Sequence, residues 1–282
     1  MCGIHFTLSR TPPAPTDLPP DLRRCLHARG PDHFGQVHRR VRCVDPSGDS
    51  GDGGDGGDSG GDASDASDSG TAAWSLRFTS TVLALRGDHV APQPLTDGGG
   101  GEGSVLCWNG EAWRVGGERV PGNDGEVVFA RLAAGGGGGG GGVDAVLDVL
   151  RGIEGPFAFV YYDATVGKVF FGRDRLGRRS LLMAPARQGG LALCSVAGEA
   201  GEGWREVEAD GVYVVAVGKD ASPERYDWVV GEDAAGFVST LAWSAAVYAF
   251  DRGRPSCQTY FTLSRFPALA GSIRRCPLVV LS

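Results

Sequence analysis

The second residue of the chain is a cysteine, in the context Met1-Cys2-Gly3-Ile4. A small side chain at position 2 makes Met1 a plausible target for initiator-methionine removal. Removal would leave one residue holding both a thiol and a free α-amine. The amine has a pKa of ~7.7–8.0 and the thiol one of ~8.5, so near neutral pH the amine can accept the thiol proton, directly or through water. The thiolate can then attack a carbonyl, and the protonated amine can return its proton to a leaving amine or ammonia. Gly3, without a side chain, is expected to leave room for a substrate to approach. The alternative is a chance cysteine, since the chain has seven.

Any such chemistry needs elements that bring distant residues to Cys2. Residues 2–9 read as a buried strand. After a proline-rich loop, Asp21 to Ala28 fits a short helix with Asp21 as N-cap and Leu22 and Leu26 on one face. Arg29-Gly30-Pro31-Asp32 is a turn. Ala73 to Arg86 reads as extended chain, and Val105 to Trp108 as a strand closed by the turn dipeptide Asn109-Gly110. Asn123-Asp124 can cap a helix over about Gly125 to Ala134, and Val143 to Leu150 forms another. Strands follow at Phe157–Tyr162, Lys168–Arg173, Leu191–Ser195 and Gly211–Val217. Strands outnumber helices, an α+β pattern. Beyond about Lys219 the pattern dissolves.

Pieces of this chain occur in an order that resembles the class II glutamine amidotransferases, in particular the glutaminase domain of asparagine synthetase. They are Cys2-Gly3-Ile4, Arg29-Gly30-Pro31-Asp32, Leu85-Arg86-Gly87, Asn109-Gly110-Glu111, Asn123-Asp124-Gly125-Glu126, Gly155-Pro156-Phe157-Ala158-Phe159 and Phe171 through Leu181. The forms Leu-Arg-Gly and Gly-Arg-Arg-Ser-Leu-Leu look most like the asparagine synthetase domain-containing branch. The resemblance runs over about 2–217. It implies a four-layer αββα sandwich of the Ntn-hydrolase type, glutamine as substrate, and no cofactor or metal.

The same resemblance assigns roles. Cys2 would be nucleophile and α-amino base, and Asn109 and Gly110 the oxyanion hole. Arg86, Glu111 and Asp124 would bind substrate, Arg86 through its α-carboxylate and Asp124 through its α-ammonium. Each has a plainer reading as well. Arg86 fits a surface arginine at a strand end, Asn109-Gly110 a hairpin turn, and Asp124 a helix N-cap. Arg29 to Asp32 and the Gly172–Leu182 stretch are expected to support the site's shape and not its chemistry.

Composition narrows the partners. Glycine, at 47 of 282 residues, clusters at Ser47–Gly70, Gly98–Gly103 and Gly135–Gly142. Such tracts lose much backbone entropy on ordering and bury nothing, so 44–72 and 135–142 are expected to be disordered, low-complexity inserts in a domain spanning 1–217. The first insert carries eight aspartates and no Lys or Arg; without it 27 basic residues face 26 acidic ones. A near-neutral body argues against a nucleic-acid partner. The odd, irregularly spaced cysteines argue against a disulfide framework or zinc site. No apolar run suggests a membrane span, and a cytoplasmic protein is expected. No Ser-Gly-Gly-x-Asp-Ser nucleotide loop occurs, and 218–282 is an unassigned tail. The chain is therefore not expected to make asparagine alone: ammonia would need a synthetase partner in trans. A non-catalytic interaction protein or a truncated fragment that keeps the fold is the rival expectation.

Overall fold

The computed structural model describes residues 1–10, 18–43, 72–97, 103–136, 142–186, 189–198, 203–218, 221–229, 246–247 and 260–261. In chain order, β1 (Gly3–Arg10), α1 (Pro20–Arg29), β2 (His33–Cys43), β3 (Ala72–Val82), β4 (Leu95–Thr96) and β5 (Val105–Gly110) come first. Short strands β6 (Arg114–Val115) and β7 (Glu118–Arg119) lead into α2 (Asp124–Gly136) and α3 (Val143–Arg151). Then follow β8 (Ile153–Glu154), β9 (Phe157–Asp163), β10 (Lys168–Arg173), β11 (Leu182–Ala186) and β12 (Gly190–Cys194). The last of this unit are β13 (Arg205–Glu206), β14 (Gly211–Ala216) and β15 (Glu224–Asp227). A second unit, Ala242–Ser282, contributes one described antiparallel pair, Ala246–Val247 with Tyr260–Phe261.

Two six-stranded sheets make the centre. One runs β13-β11-β12-β1-β3-β2 and the other β15-β14-β10-β9-β5-β4. All the pairings within them are antiparallel. Between the sheets Ile4, Phe6, Leu8, Trp74, Leu76 and Phe78 meet Val105, Cys107, Ala158, Val160, Val169 and Phe171. On the far face of the second sheet Leu106, Trp108, Phe159 and Tyr161 pack with Val128 and Leu132 of α2 and Val146, Leu147 and Leu150 of α3. On the far face of the first, Leu22 and Leu26 of α1 cover Cys194. The result is a four-layer αββα sandwich, the Ntn-type α+β fold.

Burial on both faces explains why β9, FAFVYYD, reads as an unbroken apolar run with every residue buried. In β1 and β5 the same layering appears as alternation: Val105 and Cys107 turn to the inter-sheet core, Leu106 and Trp108 to the helices.

Several boundaries differ from the sequence reading. β2 is absent from it, because its outward positions are Gln36, His38, Arg40 and Arg42 and only Val37 and Val41 add apolar weight inward. α1 begins at Pro20 after Pro19, with no side-chain cap; Asp21 lies in its first turn and is not the N-cap. β15 pairs with β14 through Gly211↔Asp227, and Trp228 stacks edge-on against Phe157, so the unit continues past 217. The segments expected as inserts lie outside the described residues, apart from Ala72, Gly135, Gly136 and Gly142 at their edges.

Candidate functional site

Four chain segments reach one end of the sandwich. Cys2 precedes β1, residues 82–86 leave β3, Asn109-Gly110-Glu111 end and follow β5, and Asp124 opens α2. Together they line a cavity of about 170 Å³, which takes in Cys2, Arg86, Asn109, Gly110, Glu111 and Asp124. All six residues singled out from the sequence therefore share one cavity. It also holds Gln93, Asn123 and Arg179, which the sequence reading did not select.

The start of β1 is clamped on both sides. The Ile4 N–H donates to Ser195 Oγ at 3.0 Å, and the Ser195 N–H to the Ile4 carbonyl at 2.9 Å. Arg29 Nε donates to the Cys2 carbonyl at 3.2 Å, and the Cys2 thiol faces the Leu83 carbonyl at 3.9 Å. Gly3 has a different purpose from the one expected. A Cβ there would sit 2.5 Å from Thr81 Oγ1 and 2.9 Å from Leu26, so the space is filled by protein and not left for substrate. Thr81 in turn donates its hydroxyl to the Leu26 carbonyl, tying α1 to β3.

Arg29-Gly30-Pro31-Asp32 steers the exit of β3. Gly30 lies so close to the backbone of Thr81 and Val82 that a Cβ would be 2.6 Å away. The Asp32 N–H donates to the Val82 carbonyl, and the Asp32 carboxylate accepts the Ala84 N–H at 2.8 Å. Two residues on, Arg86 donates through Nη1 to the Ala112 carbonyl (2.6 Å) and through Nη2 to the Val120 carbonyl (3.0 Å). It is no loose surface arginine. These contacts use two of its five donors and hold the guanidinium at the cavity wall.

Asn109 and Gly110 are not a hairpin turn. Both lie inside β5, paired with Ala158 and Phe157 of β9. Asn109 is 1% exposed, and its Nδ2 has no hydrogen-bond partner. A buried donor without an acceptor is costly, and this one belongs to a residue that lines the cavity. Gly110 admits no side chain, since a Cβ would meet Phe157, Trp108 and the Pro156 carbonyl within 2.9 Å.

Asp124 is also released from the plainer role. Asn123 is the cap: its Oδ1 accepts the Glu126 N–H at 3.1 Å. Asp124 turns inward, 5% exposed, and its Oδ2 accepts from Trp108 Nε1 (2.8 Å) and the Ala112 N–H (2.9 Å). Glu111 pairs with Arg179 at 2.8 Å across the cavity.

The Phe171–Leu181 stretch holds the register of this corner. Asp174, 3% exposed, accepts from the Phe157, Leu176 and Arg178 N–H groups and from Arg178 Nε. Arg178 Nη2 donates to the Gly155 carbonyl at 2.7 Å, and the Glu111 N–H to the Pro156 carbonyl at 2.9 Å. Gly155 has φ +143, and a Cβ on it would lie 2.0 Å from the Glu111 carbonyl. The turn thus positions 155–158, and 155–158 positions Asn109 to Glu111.

Among the described cysteines, Cys107 and Cys194 are fully buried, and burial pushes each thiol up to about 12, where it is inert. Cys2 lines the cavity. Burial raises its thiol too, offset only in part by the Leu83 carbonyl, the neighbouring terminal amine and Arg29. The Met1 amine beside it is lowered, by burial first and by Arg29 and Arg179. Among the described residues no three His, Cys, Asp or Glu side chains gather as metal ligands, and no helix is long and apolar enough to cross a membrane.

Residues 116–198 match the glutamine amidotransferase domain family. The chain is 32% identical to asparagine synthetase domain-containing protein 1 of Bos taurus over 218 residues, which is 76% of this chain and 28% of that protein. It is 35% identical to the Gallus gallus protein of the same name over 140 residues, 48% of this chain and 21% of that one. Among solved structures it is similar to the B. subtilis glutamine phosphoribosylpyrophosphate amidotransferase, with TM-score 0.41, 16% identity, and coverage of 56% of this chain and 35% of that one. By these matches the chain resembles the glutamine amidotransferase domain of asparagine synthetase-like proteins. It spans less than a third of the length of the curated relatives it matches.

Proposed function

We propose that the domain hydrolyses the side-chain amide of glutamine to glutamate and ammonia, with Cys2 as nucleophile. The observation that supports this most is the buried, unpartnered Nδ2 of Asn109 in the same cavity as the Cys2 thiol. Removal of Met1 frees the Cys2 α-amine. The amine takes the thiol proton, and sulfur bonds to the glutamine amide carbon while the carbonyl π electrons move to oxygen. That oxyanion accepts from Asn109 Nδ2 and the Gly110 N–H, donors that need no reorganisation when charge develops. The tetrahedral species collapses, the C–N bond breaks, and the amine's proton leaves with ammonia. Water then cleaves the γ-glutamyl thioester by the reverse use of the same groups.

Arg86, already anchored by two backbone carbonyls, takes the α-carboxylate with its remaining donors. Asp124 and Glu111 provide the negative wall for the α-ammonium. The site calls on no cofactor. The ammonia would reach its acceptor through a synthetase partner in trans, in the service of asparagine formation in the cytoplasm.

The test is glutamate release by protein with Met1 removed, verified by intact mass, with Cys2→Ala as control. Wild-type turnover above a Cys2→Ala background, with the mass of a trapped thioester on Cys2, is expected. Folded, Met1-free protein without turnover overturns the reading and favours the non-catalytic interaction role.

A further inference from the structure

Glu111 and Arg179 form an ion pair inside the cavity, and neither belongs to the chemistry at sulfur. Arg179 Nη2 lies 2.8 Å from Glu111 Oε1, with the Arg179 side chain 18% exposed and that of Glu111 37% exposed. The second carboxylate, Asp124, is the more committed of the two. Its Oδ2 is filled by Trp108 Nε1 and the Ala112 N–H, donors fixed by β5 and its continuation. Glu111 is therefore the cavity carboxylate with the more accessible charge, and an arginine holds it.

Given the proposed glutaminase chemistry, on which this step rests, the substrate amide lies at Cys2 and Asn109. Its α-ammonium then lies toward the wall made by Glu111 and Asp124. A cation arriving there meets a carboxylate already paired. We infer that Arg179 is a specificity-determining residue that competes with the substrate's α-ammonium for Glu111 and so weakens the site's preference for free glutamine. It acts through Glu111 and touches no reacting atom. The long stem and backbone of Arg179 have separate duties: its carbonyl accepts Arg173 Nε at 2.7 Å, a contact that any side chain at 179 retains.

The size of the effect follows from exposure. A partly hydrated ion pair is a modest interaction, so freeing Glu111 should tighten an incoming ammonium by about 3- to 10-fold. The direction matters more than the size, because a damaged site loses affinity and does not gain it.

The experiment is calorimetric binding of glutamine to the full-length chain carrying Cys2→Ala, which cannot turn it over. Three backgrounds are compared: Arg179, Arg179→Met, and Arg179→Met with Glu111→Gln. Methionine keeps an unbranched apolar stem in place of arginine's. Glutaramate, the same molecule without its α-amine, is the second ligand. Arg179→Met is expected to bind glutamine about 3- to 10-fold tighter, the gain vanishing with Glu111→Gln and absent for glutaramate. Unchanged or weaker glutamine binding overturns the inference while leaving the glutaminase reading standing. So does a gain that survives Glu111→Gln or appears equally with glutaramate. Failure of every background to bind glutamine removes both.

Discussion

Asp174 and Asn109 are both buried polar residues on adjacent turns and strands, 3% and 1% exposed, and they are treated in opposite ways. Asp174 accepts from three backbone N–H groups and one guanidinium. Asn109 leaves its Nδ2 without an acceptor at the cavity that holds Cys2. A satisfied buried group stabilises the fold and fixes register; an unsatisfied one costs stability and is retained where something must later bind. The first residue holds the corner in place, and the second leaves a donor open at the cavity.

That contrast can be broken most sharply at Asn109. Asn109→Ala should lower kcat for glutamate release by ~100- to 1,000-fold, as loss of one oxyanion donor does. Its unfolding free energy should move by no more than about 1 kcal/mol, because no partner is stranded. A matching collapse of stability in urea would place Asn109 with Asp174 instead.

Asp174→Ala is the mirror case. It strands the Phe157, Leu176 and Arg178 N–H groups, and a loss of about 3 kcal/mol or more is expected by denaturant unfolding. Activity should fall only with the folded fraction and with displacement of 155–158. A variant as stable as the parent would show that the turn's hydrogen bonds are dispensable.

The opposite face of β1 offers a pH test. His5 has its imidazole pushed down from 6.5 to about 4, by burial. The unfolded chain therefore binds a proton between these values that the folded chain refuses. This residue costs no stability above pH 6.5, and stability is lost as pH falls toward 4, by at most ~3 kcal/mol. Urea midpoints taken from pH 7 to pH 4 should decline, and His5→Gln should flatten part of the decline. Parallel slopes would remove His5 as the cause.

The smallest effect belongs to the cap. Asn123→Ala should cost about 1 kcal/mol of stability through the lost bond to the Glu126 N–H. Substrate affinity should hold if Asp124 keeps its inward contacts with Trp108 and Ala112. An affinity loss larger than the stability loss would show that the cap and the substrate carboxylate are one unit.

Much of this corner was legible in the residues. Cys2, Asn109 and Asp124 each had a chemical reading beside a plain one. The cavity gathers all three, yet only their surroundings separated the readings. Asn-Gly is a turn dipeptide by local preference, and here it is strand because β9 pairs with it across a sequence gap of nearly fifty residues. Asp124 looked like a cap because it precedes a helix, but the neighbouring Asn123 caps and frees it. Arg179 lay in a stretch expected only to support the site's shape. Its place in the cavity against Glu111, 68 residues away in the chain, is a fact of tertiary structure.

The residues by themselves determined most of the longer strands and helices, though not β2, since burial on one face or two leaves a periodic or continuous apolar pattern, and they put a cysteine at position 2. The tertiary structure decided which polar groups are satisfied and which are left open. Register between distant strands, and not any local preference, sets the ångström-scale distances on which hydrogen bonding depends.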